Sequence, residues 1–421
     1  MVSDVSASFD RMWSDLESVG REPATGGYRR FAWTRTDHDL REWFAGECAA
    51  RGLDVTEDRA GNQWAWWGDP DAQPGVAIGS HLDSVPDGGA FDGPLGVVSA
   101  LATIDALHDA GAVPRVPLGV VNFVDEEGAR FGVACAGSRI ITGALTADRA
   151  RSLTDVDGIS MAQAWTSGGR DPDSMGPDEE ALARIACFVE LHVEQGKALA
   201  LAADGSDDLD DPARSVAIGT DIWPHGRWRL DIPGEANHAG TTRLEDRRDA
   251  MLGLAAVVQS ARQQASRLGC VATVGKVRVE PGGVNAIPSH VTAWLDARGA
   301  DENAVRATVS GVLADAGSLG VTSTEESWTP TTAFDAGLVN RLRGILHGAP
   351  LLATGAGHDS GVLATHGVPA AMVYVRNPTG ISHSPAEHAE RRDCHDGVMA
   401  LTSVVTDLVS GPVGRTTGGG Q

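Results

Sequence analysis

The sequence predicts an α/β protein in which a mostly parallel sheet is interrupted by a smaller α+β insertion. Four short, continuous apolar runs alternate with helical patterns, at 74–80, 116–124, 184–193 and 368–375. Such runs are typical of parallel strands that are buried on both faces. Between 226 and 317 the pattern changes to alternating strands and long amphipathic helices, which is typical of helices on one face of an antiparallel sheet.

The individual elements follow from apolar periodicity and from capping residues. Helices are expected at 3–19, 37–51, 97–111, 245–269 and 301–317, the last beginning after the capping residue Asp301. Strands are expected in the insertion at 226–234, 271–282 and 290–299. We therefore place the main domain at 1–214 and 330–421 and the insertion at 215–329.

Composition narrows the possible partners and location of the chain. The 421 residues carry a formal net charge of −23, which argues against binding to nucleic acid or to an anionic membrane surface. The five cysteines are scattered and include no C-x-x-C pair, so we expect free thiols. No signal-peptide pattern begins the chain and no apolar run approaches the length of a membrane span. We expect a cytoplasmic protein.

Polar side chains with metal-binding chemistry follow the predicted parallel strands. The glycine-rich segment GSHLDSVPDGGAFDGPLG (79–96) carries His81, Asp83 and Asp92, and the other three strands lead to Asp125-Glu126-Glu127, to His192 and to His383. Ligands of open α/β sheets gather at the carboxyl ends of strands, so we expect these groups to lie close together. Imidazole and carboxylate donors suit zinc, manganese, cobalt or nickel.

The spacing of these residues suggests how the chemistry is divided among them. His81 and Asp83 are two residues apart on an extended segment, so Asp83 can orient the imidazole of His81. The two oxygens of Asp92 could bridge two ions. Of the adjacent Glu126 and Glu127, one can bind a metal ion while the other accepts a proton from a water held by that metal. A Glu-Glu pair is also common on solvated helix starts, so the four strand ends must be considered together.

The succession of motifs is highly specific. GSHLDSVPDGGAFDGPLGV, DEEGARF, HVEQG, ANHAGTTRLEDRRDA, VNAIPSHV, LDARG, TGAGHDS and NPTGISHSPAE occur in this order over almost the whole chain. The sequence thereby resembles the allantoate amidohydrolase / N-carbamoyl-L-amino-acid hydrolase family, a branch of the aminoacylase and carboxypeptidase-G-like metallohydrolases. The resemblance implies a catalytic main domain and an inserted lid that also forms a homodimer.

The resemblance also implies a site with two divalent metal ions. His81 and His192 would bind one ion, Glu127 and His383 the other, and Asp92 would bridge them. Glu126 would be the general base. Peptidase relatives more often carry a carboxylate at the position of the histidine in HVEQG, which favours a non-peptide substrate.

The lid motifs would supply the substrate-binding end of the site. His238 would polarise the scissile carbonyl or stabilise its oxyanion, reaching across from the partner subunit. Asn285 and Arg298 would hold the substrate carboxylate, and Gln195 with the backbone at Gly357 would complete the pocket. On the residues alone, Arg298 could equally form a surface ion pair and Asn285 a turn.

The expected activity is hydrolysis of a carbon–nitrogen bond, other than a peptide bond, in a small anionic N-carbamoyl (ureido) acid. Allantoate is the first choice of substrate and an N-carbamoyl-L-amino acid the second. An N-formyl or N-formimino acidic amino acid is a third, because Arg376 could pair with a second carboxylate. A peptidase and a catalytically inactive dimeric metal- or metabolite-binding protein are the alternatives. His358 and Asp359 lie near a site motif without an assigned role.

Overall fold

The computed structural model describes residues 5–203 and 215–411. Its helices are α1 (Val5–Leu16), α2 (Arg35–Ala50), α3 (Pro94–Asp109), α4 (Ala136–Ile141), α5 (Ala147–Ser152), α6 (Met161–Ser167), α7 (Glu179–Ala183), α8 (Ala198–Ala203), α9 (Ala250–Leu268), α10 (Glu302–Ala316), α11 (Ala336–Ile345), α12 (Asp359–Thr365) and α13 (Arg391–Ser410). Its strands are β1 (Val55–Glu57), β2 (Gln63–Trp67), β3 (Gly75–His81), β4 (Leu118–Phe123), β5 (Ile185–Val193), β6 (Val216–Ile222), β7 (His225–Pro233), β8 (Asn237–His238), β9 (Cys270–Glu280), β10 (Ala286–Ile287), β11 (His290–Gly299), β12 (Thr322–Thr329), β13 (Thr332–Ala333), β14 (Leu351–Thr354) and β15 (Ala370–Val375).

The chain divides into two compact units. Of the described residues, unit 1 comprises 5–203, 215–220, 333–352 and 357–411, and unit 2 comprises 221–332 and 353–356. The predicted boundary at 214/215 falls at the end of 204–214, a segment outside the described residues. The assignment of 215–329 as a lid stays a prediction.

Unit 1 is built on a large mixed sheet with a parallel centre. The strand order is β1-β2-β4-β3-β5-β15-β6-β13, with β14 beside β6. The pairs β4/β3, β3/β5 and β5/β15 are parallel. These four strands are buried along their whole length, as their continuous apolar runs predict. The predicted α/β class with a mostly parallel sheet is confirmed.

Helices cover the parallel centre of this sheet. α3 packs against β3 and β5, α13 packs against α3 and β15, and α12 packs against β5 and β15. The elements expected from the sequence do not include the 20-residue helix α13, although its apolar residues Cys394, Val398, Leu401, Val405 and Leu408 recur at helical spacing and are buried. In the described part of the chain, no helix combines the length and the apolar character needed to cross a membrane.

Unit 2 contains a four-stranded antiparallel sheet with the order β12-β7-β11-β9. In β7 the side chains of Trp228, Leu230 and Ile232 are buried at alternate positions. They join residues of β11, α9 and α10 in one apolar core, which includes Val257 and Val291. The alternating pattern of the sequence therefore identifies the buried face of this strand.

Close contact between α3 and the parallel strands depends on a glycine. A Cβ atom at Gly96, in the first turn of α3, would lie 2.3 Å from the carbonyl oxygen of Leu191 and 2.7 Å from Cβ of Ser80. These neighbours precede His192 and His81, so Gly96 brings the helix start against the two strand ends that carry the histidines.

We predict that Gly96→Ala lowers the stability of the fold by about 1–3 kcal/mol, because the methyl group overpacks a backbone contact that has no room to relax. Gly46→Ala is the matched control, since Gly46 also lies in a helix but a Cβ atom there would have no neighbour within 4 Å. The control should gain about 0.5–1 kcal/mol from the helix preference of alanine. Thermal midpoints measure both changes, and equal midpoints would contradict the packing argument.

Candidate active site

The carboxyl ends of the parallel strands bring the predicted metal-binding residues to one edge of the sheet. β3 ends at His81, and β5 carries His192 as its penultimate residue. Gly79 pairs with Glu190, two residues before each histidine, and Ser80 pairs with Asn122 near the end of β4. The segments that carry Glu126 with Glu127 and His383 follow β4 and β15.

The carboxylate of Asp92 lies at the centre of this group. Its Oδ1 is 3.1 Å from Nε2 of His192 and 3.6 Å from Nε2 of His81. Its Oδ2 is 3.4 Å from Nε2 of His383, and that nitrogen is also 3.4 Å from Oε2 of Glu127. Two sets of three donors, each within 4.8 Å of one another, therefore share Asp92 and could hold metal ions.

The two buried imidazoles are oriented for a cation. Nδ1 of His81 is 3.2 Å from the carbonyl oxygen of Asp83, and Nδ1 of His192 is 2.8 Å from that of Val193. These contacts turn Nε2 of each ring toward Asp92. Burial lowers the pKa of both histidines, but the carboxylates around them outweigh it and raise the pKa above the usual value. Both Nε2 atoms are buried and form no hydrogen bond with the described residues. A divalent cation between imidazole and carboxylate satisfies both partners, so the donor set fits one.

Asp83 fixes two segments of the site at once. Its Oδ1 is 3.4 Å from Nδ1 of His81. This position is compatible with the expectation that Asp83 orients the imidazole of His81. The same carboxylate accepts the backbone N–H of Glu126 at 3.1 Å and that of Glu127 at 3.0 Å. Asp83 thus sets the backbone from which the two glutamates diverge.

Glu126 is buried and its two carboxylate oxygens have different surroundings. The thiol of Cys135 donates to Oε1 at 3.2 Å, and Oε2 lies 3.8 Å from Nε2 of His81. Burial, only partly offset by His81, raises the pKa of Glu126 well above its usual value. Sequence reasoning misses the contact of Cys135, because a thiol nine residues from a carboxylate gives no signal for pairing.

The charges of the site act strongly on one another. Burial and the field of Asp92 raise the pKa of Glu127 to about 7. A hydrogen bond to the Asp92 carboxylate raises the pKa of His383 to about 9. Burial works against ionisation of Asp92, yet the imidazoles of His192, His383 and His81 hold its pKa well below the usual value. The surrounding imidazoles therefore favour the ionised form of Asp92.

Gln195 and Gly357 border this group in unit 1. Nε2 of Gln195 donates to Oδ2 of Asp92 at 2.7 Å, so the side chain contacts the central carboxylate. Gly357 is exposed and immediately precedes His358. The ring of His358 lies 4.5 Å from that of His192, and neither of its buried nitrogens has a hydrogen-bond partner among the described residues. In the sequence, only the position of His358 next to Gly357 indicates that His358 lies near the site.

Asp359, to which the sequence assigns no role, forms a buried contact. It accepts a hydrogen bond from the hydroxyl of Ser138 at 2.5 Å. Burial and the nearby Glu190 raise the pKa of Asp359 to about 8. Asp359 is therefore a buried acid whose carboxylate is held by the hydroxyl group of Ser138.

The predicted lid residues lie in unit 2. His238 in β8 pairs with Ala286 in β10, and the N–H of Ala239 donates to the carbonyl of Asn285 at 2.9 Å. The guanidinium of Arg298 donates to both carboxylate oxygens of Asp296, at 2.7 and 3.0 Å. A substrate carboxylate at Arg298 would have to share or replace this partner. The substrate-binding roles of His238, Asn285 and Arg298 stay predictions.

Arg376 already has a carboxylate partner within the chain. Its Nε and Nη2 each donate to Asp393 at 2.8 Å, and the carboxylate of Asp393 is fully buried. The hydroxyl of Ser215 donates to the same carboxylate at 2.8 Å. Arg376 therefore gives no support to a substrate with a second carboxylate.

Comparison with known proteins shows the family. Residues 77–407 match the model described as peptidase family M20/M25/M40. The chain is 34% identical over 418 residues to the N-carbamoyl-L-amino acid amidohydrolase of Geobacillus stearothermophilus, covering 96% of this chain and 99% of that protein. It is 30% identical over 413 residues to the allantoate amidohydrolase of Escherichia coli K12, covering 93% and 95%.

A solved structure agrees with this result over the whole fold. An amidase of the hydantoinase/carbamoylase family from Burkholderia vietnamiensis matches with a TM-score of 0.82 and 28% identity, covering 98% of this chain and 100% of that one. The chain belongs to peptidase family M20/M25/M40. The resemblance found from the motifs is confirmed, as is the expected class, a hydrolase of carbon–nitrogen bonds other than peptide bonds.

We predict that Zn²⁺ raises the thermal stability of the chain and that Asp92→Asn removes most of this effect. Binding that is specific to the folded state contributes about 2.7 kcal/mol when the free cation is at 100 times its Kd. Asp335→Asn is the control, because Asp335 caps α11 and asparagine caps equally well. A melting curve with and without Zn²⁺ measures the effect. An unchanged Zn²⁺ response in Asp92→Asn would remove Asp92 from the metal site.

Proposed function

We propose that this protein is a metal-dependent amidohydrolase of a small N-carbamoyl (ureido) acid. One observation carries the proposal. Four side chains that could bind a metal ion surround a fifth, Asp92, and beside them Glu126 keeps one carboxylate oxygen free of any hydrogen bond from the described part of the chain. Metal-dependent hydrolysis of an amide-type bond requires a set of cation ligands and, next to them, a carboxylate oxygen that can accept a proton.

The ligand assignment follows the geometry of the donors. His81, His192 and Asp92 would hold one divalent ion, and Asp92, Glu127 and His383 the other. When bound, such cations supply Lewis acidity that polarises a carbonyl group and lowers the pKa of water. We propose that the site holds two ions. Zinc, manganese, cobalt and nickel are the proposed metals.

Glu126 carries the proton in the proposed reaction. Its Oε1 accepts the Cys135 thiol, so Oε2 is the atom that takes a proton from the attacking water. A new carbon–oxygen bond forms at the ureido carbon, and the carbon–nitrogen bond then breaks as Oε2 returns the proton to the leaving nitrogen. His238, from the partner subunit, would stabilise the oxyanion.

Two substrates are candidates within this class. Allantoate is the prediction of the sequence motifs. An N-carbamoyl-L-amino acid is the second candidate, favoured by the 34% identity to the Geobacillus stearothermophilus enzyme. Both are small acids, for which Asn285 and Arg298 are the proposed carboxylate-binding residues.

We also propose that two copies of the chain associate through unit 2. β9 is an 11-residue edge strand, and among the described residues it pairs with β11 on one side only. Its Val271 and Val277 are exposed, and α9 exposes Leu252 and Val258. An open, long strand edge beside apolar helix residues is suited to pairing with a second copy.

The cytoplasmic location expected from the sequence stays a prediction.

We predict that Glu126→Gln lowers kcat by about 10²–10⁴-fold and leaves Zn²⁺ affinity within a few-fold of the unaltered chain. The amide can still accept the Cys135 thiol hydrogen, but it cannot take a proton from water. Steady-state kinetics with calorimetric Zn²⁺ titration measures both quantities. Glu180→Gln, at an exposed position of α7, is the control and should be neutral. Near-normal turnover in Glu126→Gln would reject the proposed base.

The substrate is tested with metal-reconstituted protein against allantoate, several N-carbamoyl-L-amino acids, N-formyl- and N-formimino-glutamate, and dipeptides. We expect turnover of a ureido acid to exceed that of every dipeptide. Turnover only of dipeptides would favour a peptidase. Tight binding without turnover under every metal would favour an inactive binding protein.

We predict that Val277→Glu shifts the chain from dimer to monomer, because it places a charge on the open edge of β9. Val113→Glu is the matched control, since Val113 is 87% exposed in unit 1. Light scattering after size-exclusion chromatography gives the mass of each variant. A monomeric unaltered chain, or a dimer that tolerates Val277→Glu, would contradict the proposed interface.

A further inference from the structure

A buried glutamate connects the two loops that carry Asp92 and His383. Glu387 lies four residues after His383, and only 5% of its surface is exposed. The loop with Asp92 is distant along the chain, before α3. The proposed reaction gives the Glu387 carboxylate no role.

Glu387 holds the backbone of the glycine-rich loop. Its Oε1 accepts the N–H of Phe91 at 2.8 Å and the N–H of Asp92 at 3.0 Å. Two consecutive amide groups on one carboxylate oxygen fix the direction of the chain at Asp92. A buried N–H group left without an acceptor costs about 1–3 kcal/mol, so loss of this carboxylate oxygen would disturb the loop at Asp92.

The second oxygen of Glu387 faces the other loop. The hydroxyl of Ser382, next to His383, lies 3.4 Å from Oε2 of Glu387 and 3.3 Å from Oδ2 of Asp92. Both loops therefore contact the same side chain. A shift of either loop would be transmitted to the other through Glu387.

Gly89 is required for this contact. A Cβ atom at residue 89 would lie 2.4 Å from Cβ of Glu387 and 2.5 Å from its Oε1. Any side chain larger than hydrogen would occupy the space that the carboxylate needs. This close approach explains why the loop carries a glycine at position 89.

The position of Asp92 leaves little tolerance. Its Oδ1 faces His192 and His81 while its Oδ2 faces His383, at distances between 3.1 and 3.6 Å. Rotation of the carboxylate would take it away from one of the two donor sets. Gln195 restrains the side chain through Oδ2, but among the described residues it is Glu387 that accepts the N–H of Asp92.

We propose that Glu387 is a positioning residue for the metal site: by accepting the N–H groups of Phe91 and Asp92 it holds the Asp92 carboxylate where both donor sets can share it. The inference rests on the proposed metal-binding function. It concerns hydrogen-bond geometry rather than the charge of Glu387.

Three substitutions at 387 separate geometry from charge. Glu387→Gln keeps an acceptor oxygen at the same reach and removes the charge, so Zn²⁺ affinity should stay within about threefold of the unaltered chain. Glu387→Asp keeps the charge but shortens the side chain by one methylene group, so affinity should fall about tenfold. Glu387→Ala should fall by about 10–100-fold, the range found when groups that support metal ligands are lost.

The measurement is calorimetric titration of the full-length, chelator-treated protein with Zn²⁺ alone. Glu390→Ala and Glu390→Gln are the controls, because Glu390 is exposed, lies three residues away and should not affect affinity. A second readout is kcat at saturating Zn²⁺. It should be close to that of the unaltered chain in Glu387→Gln and remain below it in Glu387→Ala.

The outcomes are distinguishable. If Glu387→Asp binds like the unaltered chain while Glu387→Gln is weak, charge is what matters and the positioning role is wrong. Equal affinity of Glu387→Ala and the unaltered chain also overturns it. If Glu387→Ala does not fold, the Gln and Asp variants decide. Absence of Zn²⁺ binding in the unaltered chain would overturn the proposed function as well as this inference.

Discussion

The shared carboxylate of Asp92 is the constraint on which the rest of the site depends. One oxygen faces two buried imidazoles and the other faces His383, so the two donor sets form only while this side chain is held between them. Carboxylate and imidazole groups that face each other inside a protein are unfavourable without positive charge among them, carried either by a proton on an imidazole or by a bound cation. The fold therefore holds together a group of polar side chains that apolar packing alone would not favour and that a cation would stabilise.

The parallel sheet provides the rigidity for this arrangement. His81 and His192 stand on neighbouring buried strands, and their Nδ1 atoms are held by backbone carbonyls of the same segments. Glycine allows the loop that carries Asp92 to approach these histidines closely. Gly93 has φ +86°, and a Cβ atom there would lie 2.4 Å from the His81 ring, so only glycine lets the Asp92 loop pass over that imidazole. The geometry of the site thus depends on close backbone contact as much as on ligand identity.

Three of the five non-glycine residues with a left-handed φ in the described part of the chain lie in the same region. Asp125, Cys135 and His383 adopt left-handed φ values of 53–54°, which non-glycine residues rarely do, and each costs on the order of 1 kcal/mol. Asp125 turns the chain so that Glu126 and Glu127 leave in different directions, with Asp83 accepting both of their N–H groups. Cys135 brings its thiol to Glu126, and His383 reaches back toward Asp92. The strained turns thereby separate the glutamate proposed to carry a proton from the one proposed to bind metal.

Local sequence pattern was sufficient for the α/β class, the four buried parallel strands, the alternating β7, and the identity of the side chains at the strand ends. These features follow from periodicity and from the rule that parallel strands end at a common edge. Pattern alone could not place the thiol of Cys135, the ring of His358 or the carboxylate of Glu387, because each contact joins residues that lie apart in the chain. Nor could it show that Arg376 and Arg298 already pair with Asp393 and Asp296. Hydrogen-bond partners between loops are chosen by the packed tertiary structure, since only there do the competing acceptors lie within reach of one donor.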